Sequence, residues 1–195
     1  MVARRTQADR RAGTKEKLER SAVAALVEVG AEGATTTEIC RRAGVSQGAL
    51  FQHYPSKQSL LVAAVSRAYA ELRAEFRASL AEGPQDIRSI LALTWRAYVD
   101  PRAVASLELY HRCRTDRALH AELGPMLEAH AADLLGEAAL LLGPHASPDA
   151  PVVLVLTFAA LQGAAPGALI EGREPPALGA ALDWLSTRLT TGGAP

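Results

Sequence analysis

TTTEICRRAGVSQGALFQHYPSKQSLL, residues 35–61, is the stretch whose reading decides the fold. A first short helix is predicted over 37–43, capped by Thr35 or Thr36 and turning Ile39 and Cys40 inward. Gly44 follows, the residue type that reaches left-handed φ at a helix end. Ser46 caps a second helix over 47–54, which Pro55 closes because the residue before proline disfavours α geometry. Two helices joined by Ala43-Gly44-Val45-Ser46 make a helix-turn-helix. Ile39, Val45 and Leu50 lock the pair together, which leaves Gln47, Gly48, Phe51 and Gln52 on an exposed face that can enter a groove.

Those residue types suit nucleic acid. Glutamine pairs bidentately with adenine, Gly48 lets backbone approach closely, and an exposed Phe51 needs an apolar partner such as a thymine methyl. Lys57 sits at a helix start, where the dipole disfavours a cation; a bound phosphate removes that conflict. Thr35 and Thr37 stand at a helix N-terminus, well placed for phosphate contacts. Arg4, Arg5, Arg10 and Arg11 read as a basic arm ahead of the first helix. A bland alternative stands beside each: Thr35 and Ser46 as plain caps, Lys57 as a solvated charge, the arginines as a solubilising tail.

Outward from this block the chain is helical throughout. A helix over 14–29, capped by Thr14, carries Leu18, Ala22, Ala25, Leu26 and Val29 on one stripe, and Gly30 and Gly33 end it. Further helices are predicted over 57–80, 86–99, 102–114, 116–142 (with a bend at Gly124-Pro125), 151–165 and 175–189. No segment alternates as a strand does, so the fold class is all-α. The 195 residues are 49% hydrophobic and carry 21 basic and 21 acidic side chains. The neutral total is uneven along the chain. Residues 1–60 hold ten basic and six acidic groups, a net of +4, and residues 61–195 balance them with −4. The positive excess sits with the helix-turn-helix, as phosphate binding requires.

Over residues 14–65 the sequence resembles the TetR-type (TetR/AcrR) transcriptional regulators. The family pattern T-x-x-x-I-A-x-x-A-G-V-S-x-G-x-L-Y-x-H-F-x-x-K-x-x-L is met by T-T-T-E-I-C-R-R-A-G-V-S-Q-G-A-L-F-Q-H-Y-P-S-K-Q-S-L at 35–60. The resemblance implies an N-terminal three-helix DNA-binding domain, here 1–60, and a C-terminal helical domain for ligand binding and dimerisation, here 61–195. It implies a homodimer on a palindromic double-stranded operator, most simply a repressor released by a small-molecule effector. The family's DNA contacts fall on Thr35, Thr37, Gln47, Gly48, Phe51, Gln52, His53 and Lys57. Phe51 departs from the family's tyrosine, whose hydroxyl contacts phosphate. Cys40 replaces an alanine and reads as a small hydrophobe.

In the second domain Trp95, Tyr98, Tyr110, Cys113, Phe158 and Gln162, with Leu109 and Met126, are candidates to line an effector cavity, ordinary core being the alternative for each. The uncharged run 151–170 is long enough for a membrane span. Gln162, Gly163, Pro166 and Gly167, and flanks of Asp149 and Glu171, argue instead for a helix buried on every side, either as the core of a domain or by a core face plus a subunit interface. The resemblance implies a dimer bundle built from the last two helices, 151–165 and 175–189, and the pattern supports it: the first is too apolar for a solvent-facing helix, and the second offers Leu178, Ala181, Leu182, Leu185 and Leu189 as a stripe. The N-terminus has no apolar signal region and the two cysteines form no metal knuckle, so a cytoplasmic protein without cofactor or metal is expected. His130 with Asp133 and Glu128 is the one conceivable metal set. A small helical enzyme and a helical interaction module without DNA binding remain open alternatives, although no nucleophile elbow, phosphate loop or His-Glu-x-x-His motif is present.

Overall fold

The computed structural model describes residues 6–83 and 86–190. Among them every regular element is helical: α1 Gln7–Gly33, α2 Thr36–Ala43, α3 Gln47–Phe51, α4 Lys57–Glu82, α5 Ile87–Tyr98, α6 Pro101–Arg112, α7 Arg117–Leu142, α8 Ala150–Glu171 and α9 Leu178–Thr190. The chain forms two compact units. One is built from residues up to Ala70 together with Ala105–Pro125; the other is Glu71–Val104 with Met126–Pro195. The described part of 1–60 lies wholly in the first unit, which also takes in the start of α4, most of α6 and the start of α7.

In the first unit Leu18, Ala22, Ala25 and Leu26 of α1 are buried, as their spacing requires. Two expectations for α1 fail. It begins at Gln7, because Thr6 and Asp9 form a reciprocal capping box, while the Thr14 hydroxyl donates to the Arg10 carbonyl at 3.0 Å inside the helix. Arg10 and Arg11 are consequently helical and exposed, not a loose arm; Arg4 and Arg5 lie outside the described residues. Val29 is 45% exposed, because Gly30 (φ 69°, ψ 178°) breaks the helix before that turn can pack.

In the second unit Leu91, Leu142, Ala150, Val153, Leu154, Leu182, Leu185 and Leu189 form one core cluster. A second gathers Trp95, Leu161 and Ala165, with Tyr98, Val99 and Val104 packed against it. Helix α8 does not stop near 165. It runs through Pro166 to Glu171, where Gly172 closes it at φ 64°. The helix is long and apolar enough to cross a bilayer. Its inward face (Val153, Leu154, Thr157, Leu161, Ala165) is buried in the unit, and its outward face (Val152, Val155, Leu156, Leu169, Ile170) is exposed. Helix α9 starts at Leu178 because Pro175 and Pro176 form a turn closed by the Leu178 N–H on the Pro175 carbonyl at 2.9 Å. Its stripe is split. Leu182, Leu185 and Leu189 point inward, and Ala181 and Trp184 are exposed.

Candidate nucleic-acid interface

The turn between α2 and α3 is built by local chemistry. The Thr35 hydroxyl caps α2 by accepting from the Glu38 N–H at 3.1 Å, and Ser46 caps α3 by accepting from Ala49 at 3.1 Å. Gly44 takes φ 67°, and the N–H groups of Gly44 and Val45 both return to the Cys40 carbonyl. Ile39 and Leu50 are fully buried, Cys40 nearly so, and Val45 half-buried. Burial pushes the Cys40 thiol above its ordinary pKa, which suits a packing role.

Helix α3 is shorter than expected. After Phe51 the chain tightens: the His53 and Tyr54 N–H groups both bond the Leu50 carbonyl at 2.9 Å, and Pro55 follows. Tyr54 explains the early end. Its ring is buried and its hydroxyl donates to Glu19 of α1 at 2.5 Å, anchoring the end of the reading segment to the first helix. That anchor was not visible in the local pattern, because Glu19 is 35 residues away.

Helix α2 is tied to α1 by charge. Arg42 donates to Glu28 of α1 at 2.6 Å and to Glu38 at 2.7 Å, and Arg41 donates to Glu38 through two nitrogens at 2.8 Å. These two guanidinium groups hold the Glu38 carboxyl at about 2.

Of the expected DNA contacts, Thr35, Thr37, Gln47, Gly48, Phe51 and Gln52 are exposed, and His53 and Lys57 are half-buried. Gln47 donates to the Thr37 hydroxyl at 2.8 Å, so the starts of α2 and α3 are joined through two of them. Phe51 is 51% exposed. Lys57 is placed differently from expectation. Its Nζ donates to the Ala31 carbonyl at 3.0 Å, so protein already answers part of its charge. Burial, and then the neighbouring Arg112, push the ammonium below the ordinary lysine range, against a smaller pull from Glu32. Ser56 caps α4 ahead of it, accepting from Ser59 at 2.9 Å.

The effector candidates divide. Trp95, Tyr98, Phe158 and Gln162 belong to the second unit, on α5 and α8. Trp95 is buried, and the Tyr98 and Phe158 rings stack with centroids 6.3 Å apart. Leu109, Tyr110 and Cys113 belong to the first unit; Leu109 is core, Tyr110 is exposed, and the Cys113 thiol donates to the Leu109 carbonyl at 3.3 Å. Met126 opens the second unit's part of α7 and is half-buried. Of the conceivable metal set, His130 and Asp133 both face Arg73, at 3.2 Å and 2.8 Å, so a guanidinium stands where the cation would. No group of three metal-ligating side chains occurs among the described residues.

Comparison with known proteins identifies the family. Residues 20–64 match the family described as bacterial regulatory proteins, tetR family. An uncharacterized HTH-type transcriptional regulator of Mycobacterium tuberculosis (strain ATCC 25618 / H37Rv) is 32% identical over 169 residues, 83% of this chain and 85% of that protein. The HTH-type transcriptional regulator CymR of Pseudomonas putida is 35% identical over 119 residues, 60% of this chain and 59% of that protein. A transcriptional regulator from Rhodococcus sp. Rha1 superposes with a TM-score of 0.73 at 21% identity, covering 90% of this chain and 95% of that one. The regulator FadR from Bacillus subtilis, solved in complex with stearoyl-CoA, superposes with a TM-score of 0.62 at 15% identity, covering 92% and 99%. These relatives are regulators and not enzymes, and the chain belongs to the TetR family as a DNA-binding transcriptional regulator.

Proposed function

We propose that this regulator is a cytoplasmic repressor that binds a palindromic operator as a homodimer and is released by a small-molecule effector. The observation that carries the reading is the exposed α3 face, Gln47, Gly48, Phe51 and Gln52, held in place by the Thr37–Gln47 bond and the Tyr54 anchor. In this reading Thr35, Thr37, His53 and Lys57 contact phosphate or sugar and position the reader, while Gln47 and Gln52 read base edges. The crowding of Lys57 by Arg112 supports a phosphate there, since an anion relieves two like charges at once.

The dimer reading is supported by the outward faces of α8 and α9. Val152, Val155, Leu156, Leu169 and Ile170, the last 83% exposed, line up with the exposed small residues Ala159, Gly163 and Gly167, and α9 adds Trp184. An uncharged face of that length calls for a partner, and a second copy meets it with the same surface under two-fold symmetry. The effector reading is supported by the aromatic group Trp95, Tyr98 and Phe158, with Gln162 as a polar handle. The FadR structure holds an acyl-CoA; that fact belongs to FadR and supports only an organic effector for this chain. Titrating purified protein against duplex DNA from upstream of its own coding region tests the reading. A sequence-dependent shift at two chains per duplex is expected, and no shift contradicts it.

A further inference from the structure

The geometry points to Glu108 as a positioning residue for DNA reading: with Lys57 it clamps the backbone of Ala31, and so fixes the elbow from which α2 and α3 hang. The inference rests on the DNA contacts proposed above, and Glu108 is not one of them. Gly30 occupies a backbone region that only glycine adopts, and a Cβ built there would stand 3.1 Å from Glu108 Oε2. The break starts a new turn, because the Ala34 N–H bonds the Gly30 carbonyl at 3.0 Å. The first donor of that turn is the Ala31 N–H, and the Glu108 carboxylate of α6 accepts it at 2.7 Å. The Ala31 carbonyl accepts from Lys57 Nζ of α4 at 3.0 Å. One residue is thus gripped by a negative group on its N–H and a positive group on its C=O, from two different helices.

The grip leads directly to the reader. The Thr35 N–H bonds the Gly33 carbonyl at 2.7 Å, Thr35 caps α2, and Thr37 is bonded to Gln47 at the start of α3. An unclamped elbow would populate other orientations of α2 and α3, and apparent affinity falls by the fraction that stays competent.

The test compares E108A with E108Q. Both remove the charge, and only glutamine keeps an acceptor oxygen for the Ala31 N–H. The probe is a duplex selected by the wild-type protein from a random-sequence pool, and amide exchange at Ala31 is followed alongside. E108A is expected to bind about tenfold more weakly and to lose Ala31 protection, while E108Q stays within about threefold and keeps it. The sign is informative, because removing a negative charge near phosphates otherwise tightens binding. Glu108 is exposed, so the core is untouched; should E108A fail to fold, E108D withdraws the carboxylate by one methylene, and the weakened binding and lost protection are expected of it instead. Equal binding by wild type and E108A, or a glutamine variant as weak as alanine, overturns the positioning role. A wild-type protein that selects no duplex overturns the DNA reading and the positioning role together.

Discussion

Phe51 is half exposed in the middle of the reading face, where the family's tyrosine would place a hydroxyl on phosphate. F51Y is expected to tighten operator binding by about two- to tenfold, the worth of one net hydrogen bond, measured by anisotropy titration. Unchanged or weaker binding would place Phe51 against an apolar partner instead. Gln47→Ala and Gln52→Ala should each relax preference at one base pair by about 1–3 kcal/mol, read by competition with single-base variants of the operator. Glu38 gives the head one source of pH-dependent stability. Its folded pKa, about 2, lies below the ordinary carboxyl value of 4.5. The stabilisation it brings is complete above about 4.5 and is lost as pH falls towards 2. The melting temperature of E38Q should therefore vary less over that window than that of the wild-type protein. Residue types were legible where their chemistry is local: Thr35, Gly44, Ser46 and Leu50 do what their neighbours in sequence require. Lys57, Tyr54 and Arg42 were not, since their partners Ala31, Glu19 and Glu28 are brought to them only by folding.

At the scale of elements, caps and breaks decide the boundaries. Thr6 and Asp9 start α1 well before Thr14, because a reciprocal box satisfies two N-terminal donors at once. Periodicity placed each of the α-helices among the described residues, but the end of α8 was missed. Pro166 removes one donor without ending the helix, and Ala168 beyond it packs against the Trp95 cluster. Gly44 and Gly30 give a matched pair of expectations. Nothing stands within 4 Å of a Cβ at Gly44, so G44A carries only the cost of left-handed φ, about 1–2 kcal/mol from the denaturant midpoint. At Gly30 an alanine also meets the Glu108 carboxylate, so G30A should cost more than G44A. The reverse order would mean that the elbow relaxes freely. The stripe on α9 shows where periodicity misleads: it marks an apolar face correctly and cannot say whether core or partner covers it. Leu182, Leu185 and Leu189 belong to the core, which leaves Trp184 and the outer face of α8 as the candidate interface.

At the scale of the whole molecule, neutral total charge conceals a basic reader, and an apolar helix carries an unpartnered face. Trp184 is 56% exposed, with the Arg188 guanidinium over its ring. W184R should lower the sedimentation coefficient to that of a monomer with little change in helicity. L185R should unfold the second unit, since Leu185 is core. A dimeric W184R would remove α9 from the interface. The resemblance in the helix-turn-helix was readable because every member of the family meets the same phosphate backbone and the same groove. The effector site was not, because the chemistry of one ligand leaves no fixed spacing in sequence. The most direct test of the central claim is the affinity of the wild-type protein for its selected duplex across a salt series. A linear fall of log affinity with log salt is expected, with two chains per palindromic duplex and a large loss on a scrambled duplex. Binding that ignores salt, or that is equal on selected and scrambled DNA, would contradict it.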